Sequence, residues 1–342
     1  MPAITQFGND MTPITHRTRL RTFRRLVVAF ASLCMATRGI AAAEPDTIRA
    51  AYRLTSTSIL ATDTDYAARY GLKIETVKLS TGIEANEAIL TGAVDVAEVG
   101  ITPFVTLLSR SSDVVAIGVA SSGGGMYRTV VRKESPYQSM DDLRGKKIAI
   151  RVGSGNYSAF LIYIASRGWK ETDFQIVNSG DQEAIAALTA GSVDAVIYWE
   201  PIVSVLIAKG IARPIFSFKG VVNNPIFIVA NRKAVEQKRP ALVKYLATYL
   251  DAQALLNRDV PAAARLVTAA MTGSGQQIDG KAIELSIPAT DYVIDLTDTT
   301  SADTKANFEL VKKAGKLRGS EPDWSKAFDA SLIEDARKLR AQ

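Results

Sequence analysis

The chain has 342 residues, enough for two lobes of ordinary size. Apolar residues make up 47% and charged residues 22%, which excludes a disordered chain and fits a core-forming one. The formal net charge is +6, but residues 1–43 hold six arginines and one acid, and the rest has 35 basic against 34 acidic residues. Such a near-neutral body lacks the clustered positive charge of a nucleic-acid surface, so no nucleic-acid partner is expected.

Residues 1–43 read as a secretory signal peptide. Arginines run from Arg17 to Arg25, an apolar stretch follows from Leu26 to Ala36, and Ala41-Ala42-Ala43 forms a small-residue cleavage site before Glu44. The apolar stretch falls short of the roughly 20 residues that span a bilayer. An uncleaved anchor or a buried helix is the competing reading. Arg24-Arg25 resembles a twin-arginine signal, but Phe23 and Val27 fit that pattern poorly, which favours general secretion. Leu33 stands before Cys34 where a lipoprotein signal has a small residue, which argues against a lipid anchor.

Cleavage after Ala43 has a chemical consequence. It removes Cys34 and His16, the only cysteine and the only histidine. The mature chain then has no thiol and no imidazole, which excludes disulfides, Cys/His metal sites and a Ser-His-Asp triad. No metal and no cofactor is expected. An enzyme working through carboxylates, lysine or tyrosine remains the minority reading.

From residue 44 the elements alternate. Ile48–Tyr52 is β-prone and is followed by Arg53 and the polar turn Thr55-Ser56-Thr57-Ser58. The strand Ile74–Leu79 leads to Ser80-Thr81-Gly82, then to a helix with Ala85, Ala88 and Ile89 at helical spacing. Gly92 stops that helix, because a left-handed residue is cheapest as glycine. Val94–Val99 is a continuous apolar run, as expected for a strand covered on both faces, interrupted by Glu98 and followed by Gly100-Ile101-Thr102-Pro103. The second set repeats this order. Lys147–Val152 precedes Gly153-Ser154-Gly155-Asn156-Tyr157-Ser158. Ser179-Gly180-Asp181 precedes a helix with Ala184, Ile185 and Leu188, and Gly191 precedes Val193–Tyr198, Trp199, Glu200 and Pro201.

The repetition is an internal duplication. Gly92, Val94 and Asp95 match Gly191, Val193 and Asp194 at an offset of 99, while Ile48 against Ile148 and Val77 against Val177 give 100. Strands alternating with helices imply α/β sheets rich in parallel strands. Lobe I is expected over 44–127 and lobe II over 128–224, with 225–342 returning to lobe I. Ser121–Gly125 with Tyr127–Arg132, and Gly220–Pro225 with Ile226–Ala230, read as the two crossings. The tail is expected to be helical and to wrap lobe I. Pro240 opens one helix carrying apolar spacing through Ala241–Leu256, and two amphipathic segments, Asp303–Leu317 and Asp323–Leu339, follow.

In open α/β sheets ligands bind at the carboxyl ends of strands, against helix N-termini. The polar turns named above fall there in both lobes and suit a small anion or dipolar molecule. Ordinary helix capping explains any one of them as well. Gly153-Ser154-Gly155 lacks the third glycine of a dinucleotide site. Trp199 reads as cleft wall. Glu98 and Glu200 are acids in apolar runs, costly unless paired or exposed. They meet either an arginine (Arg53, Arg128 or Arg151) or a cationic part of the ligand.

The duplicated units, the stretch Leu90–Pro103, the stretch Asp142–Ile150 and Tyr198-Trp199-Glu200-Pro201 resemble the solute-binding proteins of ABC importers, in the taurine, aliphatic sulfonate and nitrate branch. The resemblance implies a type II periplasmic binding protein: two lobes closing on one small molecule, a periplasmic location and a permease in the inner membrane as partner. A monomer is expected. It implies ligand-binding positions at Thr55, Ser80, Thr81, Thr102, Ser154, Tyr157, Ser158 and Trp199. Arg53, Glu98, Asn156 and Glu200 join them from the reading of the residues. The branch usually has a neutral amide where this chain has Glu98, which leaves room for a ligand with an amine or hydroxyl donor. A sulfonate or related organic acid is the first expectation. The alternative is a pyrimidine or thiamine-precursor-like ring, or an aromatic carboxylate, stacked on Tyr52, Tyr157, Tyr198 and Trp199.

Overall fold

The computed structural model describes residues 46–342 except 53, 54, 80, 81, 316 and 318, with backbone alone for Tyr52, Gly82 and Ile83. The expected signal peptide and the candidate residues Arg53, Ser80 and Thr81 lie outside the described residues.

The first run of elements is β1 (Asp46–Tyr52), α1 (Ser56–Thr62), α2 (Tyr66–Arg69), β2 (Leu72–Lys78), α3 (Gly82–Leu90), β3 (Val96–Gly100), α4 (Ile101–Arg110) and β4 (Val114–Ser121). The second is β5 (Tyr127–Arg132), β6 (Lys147–Ile150), α5 (Gly155–Ser166), β7 (Gln175–Asn178), α6 (Asp181–Ala190), β8 (Ala195–Trp199), α7 (Ile202–Ala208) and β9 (Ala212–Ser217). The chain ends with β10 (Ile226–Asn231), α8 (Arg232–Gln237), α9 (Arg239–Arg258), α10 (Val260–Gly273), α11 (Gly280–Ser286), α12 (Asp298–Lys313) and α13 (Ser331–Arg340).

Among the described residues the strands form two five-stranded sheets, ordered β2-β1-β3-β10-β4 and β7-β6-β8-β5-β9. Both are mixed: β10 runs antiparallel between β3 and β4, and β5 runs antiparallel between β8 and β9. The two sheets therefore share one plan. The chain crosses from the first to the second through Ser122–Met126 and back through residues 218–225.

The register corrects one part of the duplication. Ala51 lies opposite Val77, and Ala149 opposite Val177, so the two valines are equivalent at an offset of 100. Asp95, however, takes the N–H of Arg49, and Asp194 that of Lys147. These pairs set β1 and β6 at an offset of 98, two residues from the alignment of Ile48 with Ile148. A slip of two leaves every side chain on its own face, so the apolar pattern does not reveal it. Gly92 and Gly191 both follow helices with φ of 70° and 74°, the left-handed geometry their positions imply.

Each sheet buries both faces. In the first, Ile48, Ala50, Val96, Ile117 and Ile228 face α1, α9 and α10, while Ala51, Ala97, Val99 and Phe227 face α4. In the second, Ile148, Ile150 and Ile197 pack on Phe160 and Ile164 of α5, while Ala149, Val196 and Tyr198 pack on α6 and α7. This explains the unbroken apolar runs.

The tail departs from expectation in two ways. Thr297 caps α12, which starts at Asp298 rather than at 303. The segment expected as a helix from 323 is broken: Ala327 and Asp329 hydrogen-bond to Ala116 of β4, and α13 begins only at Ser331. Nor does the tail cover the first lobe alone, since α11 packs on α7 and α12 on α5 of the second.

Candidate functional site

The carboxyl ends of β1, β2 and β3 in one sheet and β6, β7 and β8 in the other open into one cleft of about 910 Å³. Its lining includes Ala51, Leu79 and Gly100 from the first lobe, Arg151, Ser179 and Trp199 from the second, and Met271, Ile278 and Tyr292 from the returning chain. The cleft is built at the place open α/β sheets favour.

Three helices of ten residues or more begin there without a side-chain cap: α4 at Gly100, α5 at Ser154 and α6 at Gly180. Elsewhere, Asn231, Asp259, Asp279 and Thr297 cap α8, α10, α11 and α12 through their side chains, while α9 and α13 also start without a side-chain cap. Ser154 sits at the right position to cap, but its hydroxyl turns to the Arg151 carbonyl at 2.6 Å and to the Asn156 side chain. First-turn N–H groups carry partial positive charge and favour an anion. Thr55 is the exception at the cleft, since its hydroxyl accepts from Ser58 N–H at 3.1 Å.

Arg151 is one of the cations on the lining. Its guanidinium lies 5.8 Å from the Trp199 ring centroid and 3.7 Å from Asp181. Tyr198 behind it is fully buried, its hydroxyl donating to the Ser179 carbonyl at 2.5 Å, and burial pushes its phenol well up. Lys78 and Lys209 also line the cleft.

Glu200 lines the cleft but is bound on the protein side. It pairs with Arg128 and accepts from Ser204 N–H at 3.2 Å. Burial pushes its carboxyl up, against the pull of Arg128 and Ser204. Arg128 also donates to the Ser204 hydroxyl at 2.7 Å, so the pair is part of the β5–α7 packing.

Glu98 is 1% exposed and sits one layer behind the cleft. It accepts from Thr55 Oγ1 at 2.8 Å and from the Tyr249 hydroxyl at 3.0 Å, and Tyr249 meets Tyr245 at 3.0 Å. Burial, then the charge of Glu98, raises the Tyr249 phenol well above its ordinary value. The named arginines Arg128 and Arg151 are engaged with Glu200 and Asp181 instead.

Thr55, Ser154, Trp199 and Glu200 are thus brought together on the cleft. Thr102, Asn156, Tyr157 and Ser158 are not among the lining residues, and their side chains bond within the protein. Thr102 donates to Asn307 at 3.2 Å, Asn156 to the Ile197 carbonyl at 2.6 Å, Tyr157 to Glu171 at 2.8 Å and Ser158 to the Gly155 carbonyl at 2.9 Å. Tyr157 and Tyr198 are not cleft-lining; Tyr127 and Tyr292 line it beside Trp199. Tyr292, Tyr249 and the stretch 271–290 carry no local motif, and their place follows only from how the tail packs.

The crossings tie the lobes together. Gly123 N–H donates to Asn223 at 3.2 Å, Asn223 donates to Asp303 of α12 at 3.3 Å, and Asn224 donates to the Gly155 carbonyl at 2.8 Å. A Cβ on Gly124 would lie 2.0 Å from the Phe218 carbonyl oxygen of the other crossing.

Known proteins share this fold. The crystal structure of the periplasmic aliphatic sulphonate binding protein SsuA from Escherichia coli is similar over 82% of this chain and 91% of that one, with TM-score 0.73 and 23% identity. The alkanesulfonate-binding protein SsuA of Xanthomonas axonopodis pv. citri, solved with MOPS, covers 84% of this chain and 99% of its own at TM-score 0.72 and 23% identity. The fold is that of these two-lobed binding proteins. A curated relative, the taurine-binding periplasmic protein of Escherichia coli strain K12, is 28% identical over 193 residues, 56% of this chain, and the chain spans 60% of its length. Residues 53–259, more than half of the chain, match the family described as NMT1/THI5 like, and the chain belongs to that family.

Proposed function

We propose that the protein is the extracytoplasmic solute-binding component of an ABC importer, capturing a small organic anion, a sulfonate or related acid, and handing it to a permease in the inner membrane. The observation that carries this reading is the set of uncapped helix starts, at Gly100, Ser154 and Gly180, opening on one cleft with Arg151. Charge-assisted hydrogen bonds from such donors suit a sulfonate or carboxylate head. The role is non-enzymatic and the location periplasmic, in keeping with the relatives' names. Two crossings joining two lobes suit hinge closure, in which the ligand favours the closed state by touching both walls.

A second reading is a flat ring, pyrimidine-like or an aromatic carboxylate, held against Trp199, Tyr127 and Tyr292. A thermal-shift panel separates the two: taurine, alkanesulfonates, nitrate, aromatic carboxylates, amino acids and pyrimidines. A ligand at 100 times its Kd stabilises the native state by about 2.7 kcal/mol. A selective shift with sulfonates supports the first reading. A shift confined to pyrimidines overturns it in favour of the second, and turnover of a bound compound overturns the non-enzymatic role.

A further inference from the structure

The tail of the chain grips both crossings between the lobes. At the first, Ser122 and Asp291 exchange backbone hydrogen bonds, Ser122 N–H donating at 2.8 Å and Asp291 N–H at 3.0 Å. The neighbouring Gly123 has φ of 90°, and a Cβ there would collide with the Asp291 carboxylate, so the crossing runs directly against the tail. At the second, the half-buried Asn223 is the junction. Its side-chain oxygen accepts Gly123 N–H at 3.2 Å and its Nδ2 donates to Asp303 at 3.3 Å. One amide thus joins the first crossing, the second crossing and α12.

The helix α12 is itself fixed to the first lobe. Phe308 and Val311 pack on Val105 of α4, and the buried Asn307 accepts from Thr102, in the first turn of α4, at 3.2 Å. Residues four apart share a helix face, so Asp303 and Asn307 stand one turn apart on α12. The former holds the crossing and the latter the start of α4. On the far side of Asn223, the buried Asn224 donates to the Gly155 carbonyl at 2.8 Å and to Ser158 at 3.2 Å, in the first turn of α5. A continuous run of bonds therefore leads from the start of α4, through α12 and the second crossing, to the start of α5. Those two helix starts stand on opposite lobes and both open on the cleft.

We infer that Asn223 and Asp303 are positioning residues for ligand binding. Through them α12 acts as a strap that fixes the angle between the lobes, and so the spacing of the α4 and α5 starts, before a ligand arrives. The inference rests on the two-lobe closure reading above and names what sets its resting state. A site whose halves are already spaced loses less freedom on binding and binds more tightly. With the strap cut, the lobes rotate over a wider range, and part of the ligand's binding free energy goes into gathering them.

The test is the distance between two spin labels, one on each lobe, measured by pulsed electron paramagnetic resonance. Labels attach through Thr76→Cys on β2 and Ala190→Cys at the end of α6, both exposed positions, and Cys34→Ser removes the one native thiol. Without ligand, this labelled parent gives one narrow distance distribution. Asp303→Ala and Asn223→Ala each broaden it, while Asp303→Asn, which keeps an acceptor oxygen for Asn223, leaves it narrow. The two alanine variants cut the same bond from opposite ends, so the test survives misfolding of either one. A distribution as narrow as the parent's in the alanine variants overturns the strap. Broadening in Asp303→Asn equal to that in Asp303→Ala overturns the assignment to this hydrogen bond. The same samples with excess taurine, ethanesulfonate or benzoate read closure separately. A ligand-induced shift in the parent with no broadening in the alanine variants leaves closure standing and overturns the strap alone. Broadening in those variants with no shift by any of the three compounds supports the strap and counts against the anion reading.

Discussion

Asp95 and Asp194 make the same backbone clasp in the two lobes. Each accepts the N–H of the facing strand residue, Arg49 at 2.8 Å and Lys147 at 2.9 Å. Each also donates its own N–H to that residue's carbonyl, at 2.8 Å in both cases. The surroundings then diverge. Asp95 also holds the side chains of Arg49 and Lys238, both at 2.7 Å, whereas Asp194 holds the Tyr137 hydroxyl at 3.2 Å.

Removing the two carboxylates therefore has unequal effects. Asp95→Ala is expected to destabilise the protein by about 2 kcal/mol and Asp194→Ala by about 1 kcal/mol, since hydrogen bonds to charged groups are the stronger kind. The cations beside Asp95 are partly exposed, which limits the difference. Urea unfolding of the two variants checks the order. An equal or reversed order counts against the ion pairs at Asp95.

Asp95 also sets a pH dependence. Burial alone pushes its carboxyl up, but the hydrogen bonds from Arg49 and Lys238 together outweigh it and hold the group below its ordinary value. A carboxylate with a lowered folded-state value stabilises the fold above its unfolded value of about 3.9, and that stability is lost as pH falls below it. Between about pH 5 and pH 3 the wild type should lose more stability than Asp95→Asn. Parallel losses in urea midpoint would remove Asp95 from the acid response.

Tyr249→Phe deletes one hydroxyl from the buried Glu98–Tyr249–Tyr245 chain and leaves Glu98 and Tyr245 short of a partner. The expected cost is about 1–3 kcal/mol. The Thr55 bond to Glu98 is untouched, so ligand affinity should change less than stability. A variant as stable as the wild type would show that the chain adds nothing to the fold.

On the cleft wall, Trp199→Ala and Arg151→Gln should weaken the ligand found by thermal shift about tenfold or more without unfolding the protein. The Arg151 effect should shrink as salt is raised, because a charge interaction is screened. Unchanged affinity in either variant removes that residue from the site.

At the crossings, Gly124→Ala should destabilise the protein by more than about 2 kcal/mol, because the obstacle at 2.0 Å is a backbone oxygen. Gly273→Ala at the end of α10 meets nothing within 4 Å and should be neutral or stabilising by up to about 1 kcal/mol. Thermal denaturation of the pair reads this directly.

What could be read ahead of the structure follows from distance along the chain. Gly92 and Gly191 after their helices, the apolar strands and Trp199 at the end of β8 are local signals, and local pattern suffices for them. In sequence, Glu98 reads as an acid awaiting either an arginine or a cationic part of the ligand. Its hydroxyl partner Tyr249 is 151 residues away on α9, in a helix whose apolar spacing says nothing about one phenol. Asn156 and Tyr157 have the residue types of a ligand turn, yet the helix they open rotates them inward, which residue type alone does not tell. Met271 and Ile278 reach the cleft only because the tail bridges to α7.

The position of β10 between β3 and β4 sets the order in which the lobes can be finished during synthesis. The second sheet is made entirely of residues 127–217, while the first must wait for residues 226–231 to fill its gap. A chain emerging from its N-terminus completes the younger sheet while β4, buried along its whole length in the finished protein, still lacks its β10 neighbour. Through that interval Val114–Ser121 is an apolar strand without its lateral partner, and the growing chain depends on shielding there until its last third arrives.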